Sequence, residues 1–545
     1  MEKKEGSEIN PAFLIPFFGS IIVIFLAVRI HAFFLTLTTY RGLNWADAEA
    51  EFIKNRFSDV PMTTAETVSL ILTLSILAIF LALGIYFYNR FKEKTYSYIE
   101  QRMIRKRHLG KQGTARWGTE QTLKPLMGDD GVFLGYSEGI ANKPVRLSLR
   151  ASCEHIAVIG PTGCGKTSSF FIPNLLTLPE GVSAVVTDPK GELEQITGDR
   201  LRERGWKVVA LAPGRKNSGV YNPLANCKDE TEVSELASIT LKNGYSEGGQ
   251  TDQWVSFAQP LWESMLLLER ELAKKENRVP SMVKAYKYIS TMDEDKRKEL
   301  AMQGSVKVME TYLAYGQSLQ SPETAGSIRT VAVSSLKLFT RDDIAGVVQD
   351  EGFSPSDLRK EPTVFFIQIP EHKSQLMKPF SATLYWQIME HLVMEPGLPV
   401  FFFLDEFPNI GKIPGFAQMA ATLRSRKISL NVCMQGIEQL AREYSPEEQT
   451  DIINNLKTKI FYSGLTGESN EFFQKIAGRA SYEEESTNLL SADELRRLEK
   501  DRIIVLAHNL PPVILKAIPY FKQNQTSAKP SIPSLSSLVK KVQKA

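Results

Sequence analysis

The chain has 545 residues, of which 43% are hydrophobic and 23% charged, and this composition excludes a globally disordered, collagen-like or coiled-coil protein. Its 65 basic and 62 acidic residues leave a net charge of +3, so any contact with nucleic acid must use local basic patches. The four cysteines form no Cys-x-x-Cys pair, which argues against a zinc site or a disulfide framework and is typical of a reducing compartment.

Two apolar segments near the N-terminus predict a transmembrane helical hairpin. Residues 67–88 carry no charge, and a helix of this length crosses a hydrocarbon core about 30 Å thick. The earlier segment, at about residues 11–34, is interrupted by Arg29 and His31 and has no signal-peptide cleavage site after it. The alternatives are a buried soluble helix for the later segment and a signal peptide for the earlier one. We expect residues 1–95 to form a two-pass membrane anchor.

The charges that flank these segments predict their orientation. Basic residues dominate between Arg90 and Lys111, where only Glu93 and Glu100 oppose them, whereas the loop between the two segments is acidic. By the positive-inside rule, the N-terminus and the large C-terminal region are both expected in the cytoplasm. The basic run is expected to contact anionic lipid, and the alternative is contact with a translocating nucleic acid.

A phosphate-binding loop follows a predicted buried strand at Ile156–Ile159. The loop reads GPTGCGKT, a complete G-x-x-x-x-G-K-[ST] pattern that comprises Gly160, Pro161, Thr162, Gly163, Cys164, Gly165, Lys166 and Thr167. In such a loop the backbone N–H groups cradle phosphates, the lysine reaches the β- and γ-phosphates, and the threonine hydroxyl ligates Mg²⁺. The sequence therefore predicts nucleotide binding. Pro173 is expected to limit or kink the helix that follows.

A second apolar strand, predicted over residues 399–404, ends in Asp405 and Glu406. Beside the phosphate-binding loop, Asp405 can hold Mg²⁺ and Glu406 can polarise the attacking water, which is the general-base role of an ATPase. The alternative is an edge strand that ends in a solvated acidic turn. The sequence lacks the Asn-Lys-x-Asp motif of signalling GTPases, so ATP is the expected nucleotide.

Further candidates lie around a third apolar strand, predicted over Ser429–Met434. Gln435 follows this strand and could sense the γ-phosphate or position water, as in additional-strand ATPases; a plain strand-end turn is the alternative. Arg424 and Arg426 precede the strand. One of them could act in trans on the γ-phosphate of a neighbouring subunit, which requires a ring, or both could be solvated charges on a helix face.

Together these motifs resemble the type IV coupling proteins, the TraG-like conjugative DNA-transfer ATPases of type IV secretion systems. The resemblance extends from the anchor to about Ile518. It also rests on the segments Gly113–Gly118, Thr187–Leu193 (TDPKGEL), Tyr221–Leu224, Leu404–Pro414 and the stretch from Arg426 through Gln435 to Gln439-Leu440. Asp188 and Lys190 belong to the TDPKGEL element, for which a structural turn is the alternative to a functional role.

The resemblance implies an α/β fold: a RecA-like P-loop NTPase with a parallel sheet and an inserted all-α domain, assembled as a homo-hexameric ring under the bacterial inner membrane. It implies Arg426 as the trans arginine and Gln435 as the sensor glutamine. Arg424 stays possible because the spacing to Gln435 is shorter than in some members. The implied cofactors are ATP and Mg²⁺. The implied partners are other copies of the chain, membrane lipid, secretion-channel components, and a relaxase–DNA complex or protein effectors.

The predicted elements divide the chain into five segments. Strands and helices alternate from about residue 150 to 223 and again from Thr363, which fits a sheet with helices on both faces. We expect the anchor at 1–95, a motor domain at 96–224 and 361–522, an all-α domain at 225–360, and a flexible basic tail at 523–545. Trp254, Phe257 and Trp262 repeat at helical spacing and are expected in the all-α core rather than as base-stacking contacts. The acidic stretch at 481–485 is expected to be a loop.

The leading hypothesis for function is a membrane-anchored ATPase that couples relaxase–DNA or protein substrates to a type IV secretion channel and drives their translocation. In the main alternative, the P-loop is an assembly switch in a substrate receptor that has no motor activity. A DNA-segregation-type translocase is a third hypothesis, which the TDPKGEL element and the single predicted hairpin disfavour.

Overall fold

A computed structural model of the chain describes residues 29, 31–37, 39–40, 42–58, 60–76, 78–79, 115–138, 142–245, 251–317, 321–482 and 485–523. The chain forms two compact units, Met1–Arg107 and His108–Ala545. Residues 11–28 and 30 of the first predicted membrane segment and residues 77 and 80–88 of the second lie outside the described residues, as does nearly all of the predicted tail. Within the described part, no helix has the length and apolar character needed to cross a bilayer.

The first unit contains helix α1 (Trp45–Phe57) and helical residues at 31–37 and 64–76. Helix α1 begins at Asn44, whose side chain accepts hydrogen bonds from the N–H groups of Ala46 and Asp47. The segment at 64–76 has an inverted distribution of side chains. It buries Ser69 and Thr73, while its exposed residues include Val68, Ile71, Leu72 and Leu74.

The second unit is built on one large sheet. The strands among the described residues are β1 (Phe133–Tyr136), β2 (Pro144–Arg146), β3 (Ile156–Ile159), β4 (Ser183–Thr187), β5 (Lys207–Leu211), β6 (Thr363–Ile367), β7 (Val400–Leu404), β8 (Ile428–Met434), β9 (Thr458–Tyr462), β10 (Arg479–Tyr482), β11 (Glu485–Asn488), β12 (Arg502–Ala507) and β13 (Val513–Lys516). Eleven of them form a sheet in the order β2-β1-β13-β12-β9-β3-β8-β7-β4-β6-β5. The strands from β9 to β5 in this order are parallel to one another.

The structure corrects two expectations about strands. The sheet is mixed rather than purely parallel, because β12, β13, β1 and β2 extend it by antiparallel pairing beyond β9. Antiparallel neighbours such as β12 and β13 need only a short connection, so such an extension adds few residues. The stretch at 481–485 contains the ends of β10 and β11, which form a hairpin in which Tyr482 pairs with Glu485. The backbone pairing of these two strands means that the acidic stretch is not one continuous loop.

Helices cover both faces of the sheet. Those before β5 are α2 (Leu149–Ser152), α3 (Ile172–Leu176) and α4 (Glu192–Glu203). Those after β6 are α14 (Ser374–Met394), α15 (Phe416–Leu423), α16 (Pro446–Asn455), α17 (Gly467–Ala477), α18 (Ala492–Arg496) and α19 (Tyr520–Gln523). Nine further helices, α5 to α13, lie between β5 and β6 in the described part of the chain. Alternate residues of β3 enter two different hydrophobic cores, Ala157 and Ile159 one of them and Ile156 and Val158 the other. The continuous apolar strands are therefore buried on both faces, as the sequence predicts.

Between β5 and β6 the described residues form helices and no strand. These helices are α5 (Pro223–Asn226), α6 (Glu230–Gly244), α7 (Thr251–Lys275), α8 (Met282–Thr291), α9 (Glu294–Met302), α10 (Val306–Gln317), α11 (Pro322–Ser335), α12 (Asp342–Val348) and α13 (Asp357–Lys360). Trp262 is fully buried in α7, and its indole N–H donates to the Thr240 hydroxyl at 2.9 Å. Trp254 and Phe257 pack on the same core. The prediction that these aromatic residues belong to the core is confirmed.

Glu269 in α7 is a fully buried carboxylate that holds this helical segment together. It accepts hydrogen bonds from the Arg278 guanidinium, from the Tyr288 hydroxyl at 2.8 Å and from the Ser281 N–H at 2.9 Å. We expect Glu269→Ala to lower the free energy of unfolding by about 3 kcal/mol, because it leaves a half-buried cation and buried donors without an acceptor. Urea unfolding followed by tryptophan fluorescence measures the loss.

The same arginine provides a matched control for this prediction. Arg278 also pairs with Glu276, whose side chain is 57% exposed. We expect Glu276→Ala to leave the unfolding midpoint unchanged, since solvent-exposed ion pairs contribute little to stability. An equal destabilisation by the two substitutions would contradict the role assigned to Glu269.

Candidate nucleotide-binding site

The GPTGCGKT loop leaves the sheet at the end of β3, whose residues are all buried. Gly163 and Gly165 have φ angles of 78° and 97°, in the left-handed region that glycine adopts at little cost. At Gly160 an added Cβ would lie 2.6 Å from the Cβ of Tyr462, so a side chain is excluded there by close packing. The spacing of the glycines is thus explained by the geometry of the loop.

Lys166 lies inside this loop. Its side chain is 7% exposed, and its Nζ donates to the carbonyl oxygens of Gly160 at 2.6 Å and Pro161 at 3.1 Å. The next turn, Thr167–Phe171, is π-helical and continues into α3. Pro173 has no N–H to donate within the helix, and the Ile172 N–H instead closes a wide turn to the Thr167 carbonyl. The irregularity expected at Pro173 therefore takes the form of a π-turn.

The strand order brings the three predicted motifs to one edge of the sheet. Strand β8 lies between β3, which ends at the loop, and β7, which ends at Asp405 and Glu406. All three strands are parallel, so their carboxyl ends meet at the same edge. Gln435 follows β8 directly and lies between the loop and the two acidic residues. The central position of β8 is the arrangement expected for an additional-strand ATPase.

Glu406 and Gln435 are in direct contact. The Gln435 Nε2 donates to Glu406 Oε1 at 3.1 Å, and the backbone N–H of Gln435 donates to Gln439 Oε1 at 2.9 Å. Glu406 has φ 50° and ψ 53°, a left-handed conformation that costs a non-glycine residue about 1 kcal/mol. Backbone strain of this kind concentrates at functional sites. No role for Gln439 is predicted from the sequence, although its spacing of four residues from Gln435 is the signal that could have identified it.

Asp405 occupies an unusual electrostatic environment. Burial and the adjacent Glu406 carboxylate raise the pKa of Asp405 to about 6, while the Lys166 ammonium and a hydrogen bond from the Cys433 thiol oppose this rise. The influence of Lys166 on Asp405 places the loop and the acidic strand end within electrostatic reach of each other. A carboxylate and the Thr167 hydroxyl are the oxygen ligands that Mg²⁺ prefers.

The chemistry of these donors fits Mg²⁺ bound together with a nucleotide. Among the described residues, no group of three or more His, Cys, Asp or Glu side chains forms a metal cage. Mg²⁺ typically uses one or two protein ligands and takes its remaining oxygens from phosphates and water. The pair of Thr167 and Asp405 meets that requirement.

The raised pKa of Asp405 predicts a pH dependence for Mg²⁺. Only the ionised carboxylate binds the metal, so the apparent affinity for Mg²⁺ falls as the pH drops through about 6. We expect about a tenfold loss between pH 7 and pH 5 in a Mg²⁺ titration of the nucleotide-bound protein. The same titration on Asp405→Asn corrects for protonation of the nucleotide itself. Identical pH profiles for the two proteins would contradict the prediction.

A small cavity lies beside the two acidic residues. Its volume is about 30 Å³, which is sufficient for one water molecule, and its walls include Thr187, Tyr385 and Asn409 in addition to Asp405 and Glu406. The Thr187 and Tyr385 hydroxyls are hydrogen-bonded to each other at 2.5 Å. The candidate general base therefore has a water-sized space next to it.

The TDPKGEL element is a structural turn beside this site. The Asp188 carboxylate is buried and accepts hydrogen bonds from the N–H groups of Leu193 at 3.1 Å and Glu194 at 3.0 Å, at the start of α4. This is the capping role that an acidic residue takes at a helix N-terminus. Lys190 is exposed. The geometry thus favours the structural alternative for Asp188.

The two candidate arginines lie at the opposite edge of the sheet. They belong to the 3₁₀ turn Arg424–Arg426, which joins α15 to the start of β8. The seven residues of β8 separate this turn from Gln435 by about 20 Å. Arg424 forms an ion pair with Glu154, whereas Arg426 is exposed and has no hydrogen bond or ion pair with any described residue. Neither arginine can reach the phosphate-binding loop of its own subunit.

Residues 89–488 and 466–544 match the model of a protein family described as type IV secretory system conjugative DNA transfer. Protein VirD4 of Rhizobium radiobacter is 21% identical over 403 residues, which are 67% of this chain and 57% of that protein. Conjugal transfer protein TraG of Escherichia coli is 25% identical over 444 residues, which are 70% of this chain and 69% of that protein. The chain thus spans little more than half the length of the VirD4 protein that it matches.

Among solved structures, the plasmid coupling protein TrwB in complex with ADP and Mg²⁺ is similar to this chain, with a TM-score of 0.61 and 17% sequence identity. The similarity covers 76% of this chain and 96% of that one. It shows the fold, a mixed and mostly parallel α/β sheet of the RecA-like type, which agrees with the motor-domain part of the fold class predicted from the sequence.

Proposed function

The chain belongs to the type IV secretory system conjugative DNA transfer family, and on this premise we propose that it is a membrane-anchored coupling ATPase. It connects relaxase–DNA or protein substrates to a type IV secretion channel and drives their translocation by ATP hydrolysis. The observation that carries the proposal is the hydrogen bond of 3.1 Å between Gln435 and Glu406, at the sheet edge where the phosphate-binding loop begins.

ATP and Mg²⁺ are the proposed cofactors. The loop residues 160–167 hold the phosphates through their N–H groups, and Lys166 turns from the loop carbonyls to the β- and γ-phosphates. Thr167 and Asp405 hold Mg²⁺, which neutralises negative charge on the phosphates. The TrwB structure with ADP and Mg²⁺ supports the choice of these cofactors because it shares the fold.

Glu406 is the proposed general base, and Gln435 is its partner. The Glu406 carboxylate takes the proton of the attacking water, while the contact with the Gln435 amide fixes the orientation of that carboxylate. Gln435 follows the strand that lies beside the loop, so it can contact the γ-phosphate from the same position.

We propose that Arg426 completes the site from a neighbouring subunit. A positive charge beside the γ-phosphate stabilises the transition state, and the arginine turn Arg424–Arg426 lies at the sheet edge opposite to the loop. A second copy of the chain can therefore bring this charge to the nucleotide, whereas the same subunit cannot. A ring in which each subunit presents its arginine edge to the next nucleotide satisfies the requirement, and the resemblance to coupling proteins implies a ring of six.

The proposed location is the bacterial inner membrane, with the N-terminus and the large C-terminal region in the cytoplasm. The inverted pattern at residues 64–76 supports a lipid-facing helix: Ser69 and Thr73 are buried, while Ile71 and Leu74 are more than half exposed. Small and polar residues at helix contacts and apolar residues toward lipid are typical of membrane helices. The basic residues after Tyr88 support the orientation.

Transfer of DNA between cells tests the proposal. Donor cells that lack their own copy of this chain are complemented with the wild-type chain or with Glu406→Gln, and the frequency of transfer is measured. We expect Glu406→Gln to abolish transfer while the protein still co-purifies with channel components. Normal transfer in the absence of hydrolysis would overturn the motor function and support the nucleotide-switched receptor.

The class of cargo is read from the salt dependence of DNA binding. Because a protein that neutralises phosphates releases counterions, affinity for DNA falls steeply with salt concentration when DNA is the cargo. On the basis of the family, we propose that the cargo is DNA in a relaxase complex. A steep decrease in the DNA affinity of the full chain with increasing salt concentration supports this proposal. A flat slope would assign protein effectors instead.

A further inference from the structure

We propose that Glu154 is a positioning residue for the arginine turn Arg424–Arg426 and that it leaves Arg426 as the arginine that acts in trans. This inference rests on the proposed trans role of the turn and goes beyond it, because it identifies what holds the turn and which arginine is available. Glu154 lies between α2 and β3, at the sheet edge opposite to the phosphate-binding loop.

The Glu154 carboxylate is fixed from two sides. One of its oxygens accepts a hydrogen bond from Arg424 Nη2, and the other pairs with His508 Nδ1 at 3.0 Å. The Glu154 side chain is 10% exposed, whereas that of Arg424 is 50% exposed. The backbone of Glu154 is tied as well, because its carbonyl accepts the Lys457 N–H at 3.0 Å. A carboxylate held this firmly can fix the direction of an arginine that solvent would otherwise leave mobile.

The adjacent residue, His155, anchors the chain on both sides of the turn. Its Nε2 contacts the Ala420 carbonyl at 2.6 Å, and its Nδ1 accepts the Leu430 N–H at 3.1 Å. Burial lowers the pKa of His155 to about 4, so the ring is neutral at neutral pH and has the one donor and one acceptor that these contacts need. The chain from Ala420 to Leu430 is thus held at its ends by His155 and at its middle by Glu154.

These contacts assign different roles to the two arginines. Arg424 is bound within its own subunit, and its charge is opposed by a buried carboxylate. Arg426 lies one residue beyond Ser425 on the exposed 3₁₀ turn, with no partner among the described residues. The guanidinium that can approach a phosphate of a neighbouring subunit without breaking an ion pair is therefore that of Arg426. Glu154 acts through Arg424, which keeps the turn in the conformation that presents Arg426.

ATP hydrolysis by the full chain in lipid nanodiscs tests the inference. We expect Glu154→Ala and Arg424→Ala each to lower kcat about tenfold, and the double variant to be no slower than either single variant, because the two residues act as one unit. Arg426→Ala is expected to lower kcat about a thousandfold. In every variant the Kd of an ATP analogue stays within about threefold of wild type. Such a split between kcat and binding is not expected from general destabilisation.

A control variant and the pattern of kcat losses separate failure of this inference from failure of the proposed trans role. Arg496→Ala removes an exposed arginine paired with Asp493 and is expected to leave kcat unchanged. If Arg426→Ala has no effect, the proposed trans role itself fails. The positioning role is overturned if Arg426→Ala lowers kcat but Glu154→Ala and Arg424→Ala leave it at the wild-type value. It is also overturned if the losses of the two single variants multiply in the double variant. If Glu154→Ala does not fold, the Arg424→Ala variant still tests the inference, because Arg424 is half exposed. A larger loss of kcat in Arg424→Ala than in Arg426→Ala would make Arg424 the trans arginine and reject the inference.

Discussion

Replacing Glu406 by glutamine is expected to reduce ATP hydrolysis about a thousandfold and to leave nucleotide binding within about threefold of wild type. The substitution keeps the size of the side chain and its contact with Gln435, but it removes the carboxylate that accepts the proton of the attacking water. Phosphate release by the full chain with ATP and Mg²⁺ measures hydrolysis, and calorimetric titration with a non-hydrolysable ATP analogue measures binding.

A nearby carboxylate provides the control for this result. Glu371 also lines the cavity beside Asp405 and Glu406; it is exposed and influences Asp405 through its charge, but no hydrogen bond joins it to Gln435. Glu371→Gln is expected to retain hydrolysis within about threefold, since only a weak, solvent-screened charge effect is removed. Comparable losses in the two variants would mean that Glu406 acts only as a negative charge.

Replacing Lys166 by alanine is expected to weaken binding of an ATP analogue about a hundredfold. The lysine is the cation inside the phosphate-binding loop, and a charged hydrogen bond to a phosphate contributes about 2–3 kcal/mol, which corresponds to that factor in Kd. Calorimetry on the full chain in the presence of Mg²⁺ gives the constant directly. Because weaker binding leaves most sites empty, the variant is also expected to release far less phosphate than wild type at ATP concentrations that just saturate the wild type.

Lys190 is the matched control for Lys166. It lies in the TDPKGEL element next to the site, but its side chain is exposed and the structure assigns it no hydrogen bond or ion pair with a described residue. Lys190→Ala is expected to bind the analogue with the wild-type Kd. A wild-type Kd for Lys166→Ala would mean that this loop does not bind the phosphates.

The place where the three motifs meet was predictable because each motif is local. The buried strand before GPTGCGKT, the apolar strand before Asp405 and the strand before Gln435 each have a sequence pattern of their own, and parallel strands place their ends at one edge. The contact between Gln435 and Glu406 was not predictable, because the order β3-β8-β7 is decided by pairing between distant strands. The left-handed conformation of Glu406 likewise has no sequence signal, since glutamate rarely adopts it.

The features that the sequence did not predict are either short strands or contacts between residues far apart in the chain. Strands β1 and β2 have only four and three residues, too few for a clear alternation of polar and apolar residues. The Glu154–Arg424 ion pair joins residues 270 positions apart, and no local pattern connects them. The choice between a catalytic and a structural role for Asp188 required the hydrogen bonds that cap α4, which the motif alone does not distinguish.

Phosphate release by the full chain in lipid nanodiscs, with and without added DNA, tests the central claim most directly. The account predicts hydrolysis that needs Mg²⁺, increases when DNA is added, and disappears in Glu406→Gln. Release that never exceeds the Glu406→Gln background, under conditions in which the wild-type chain binds ATP, would contradict it.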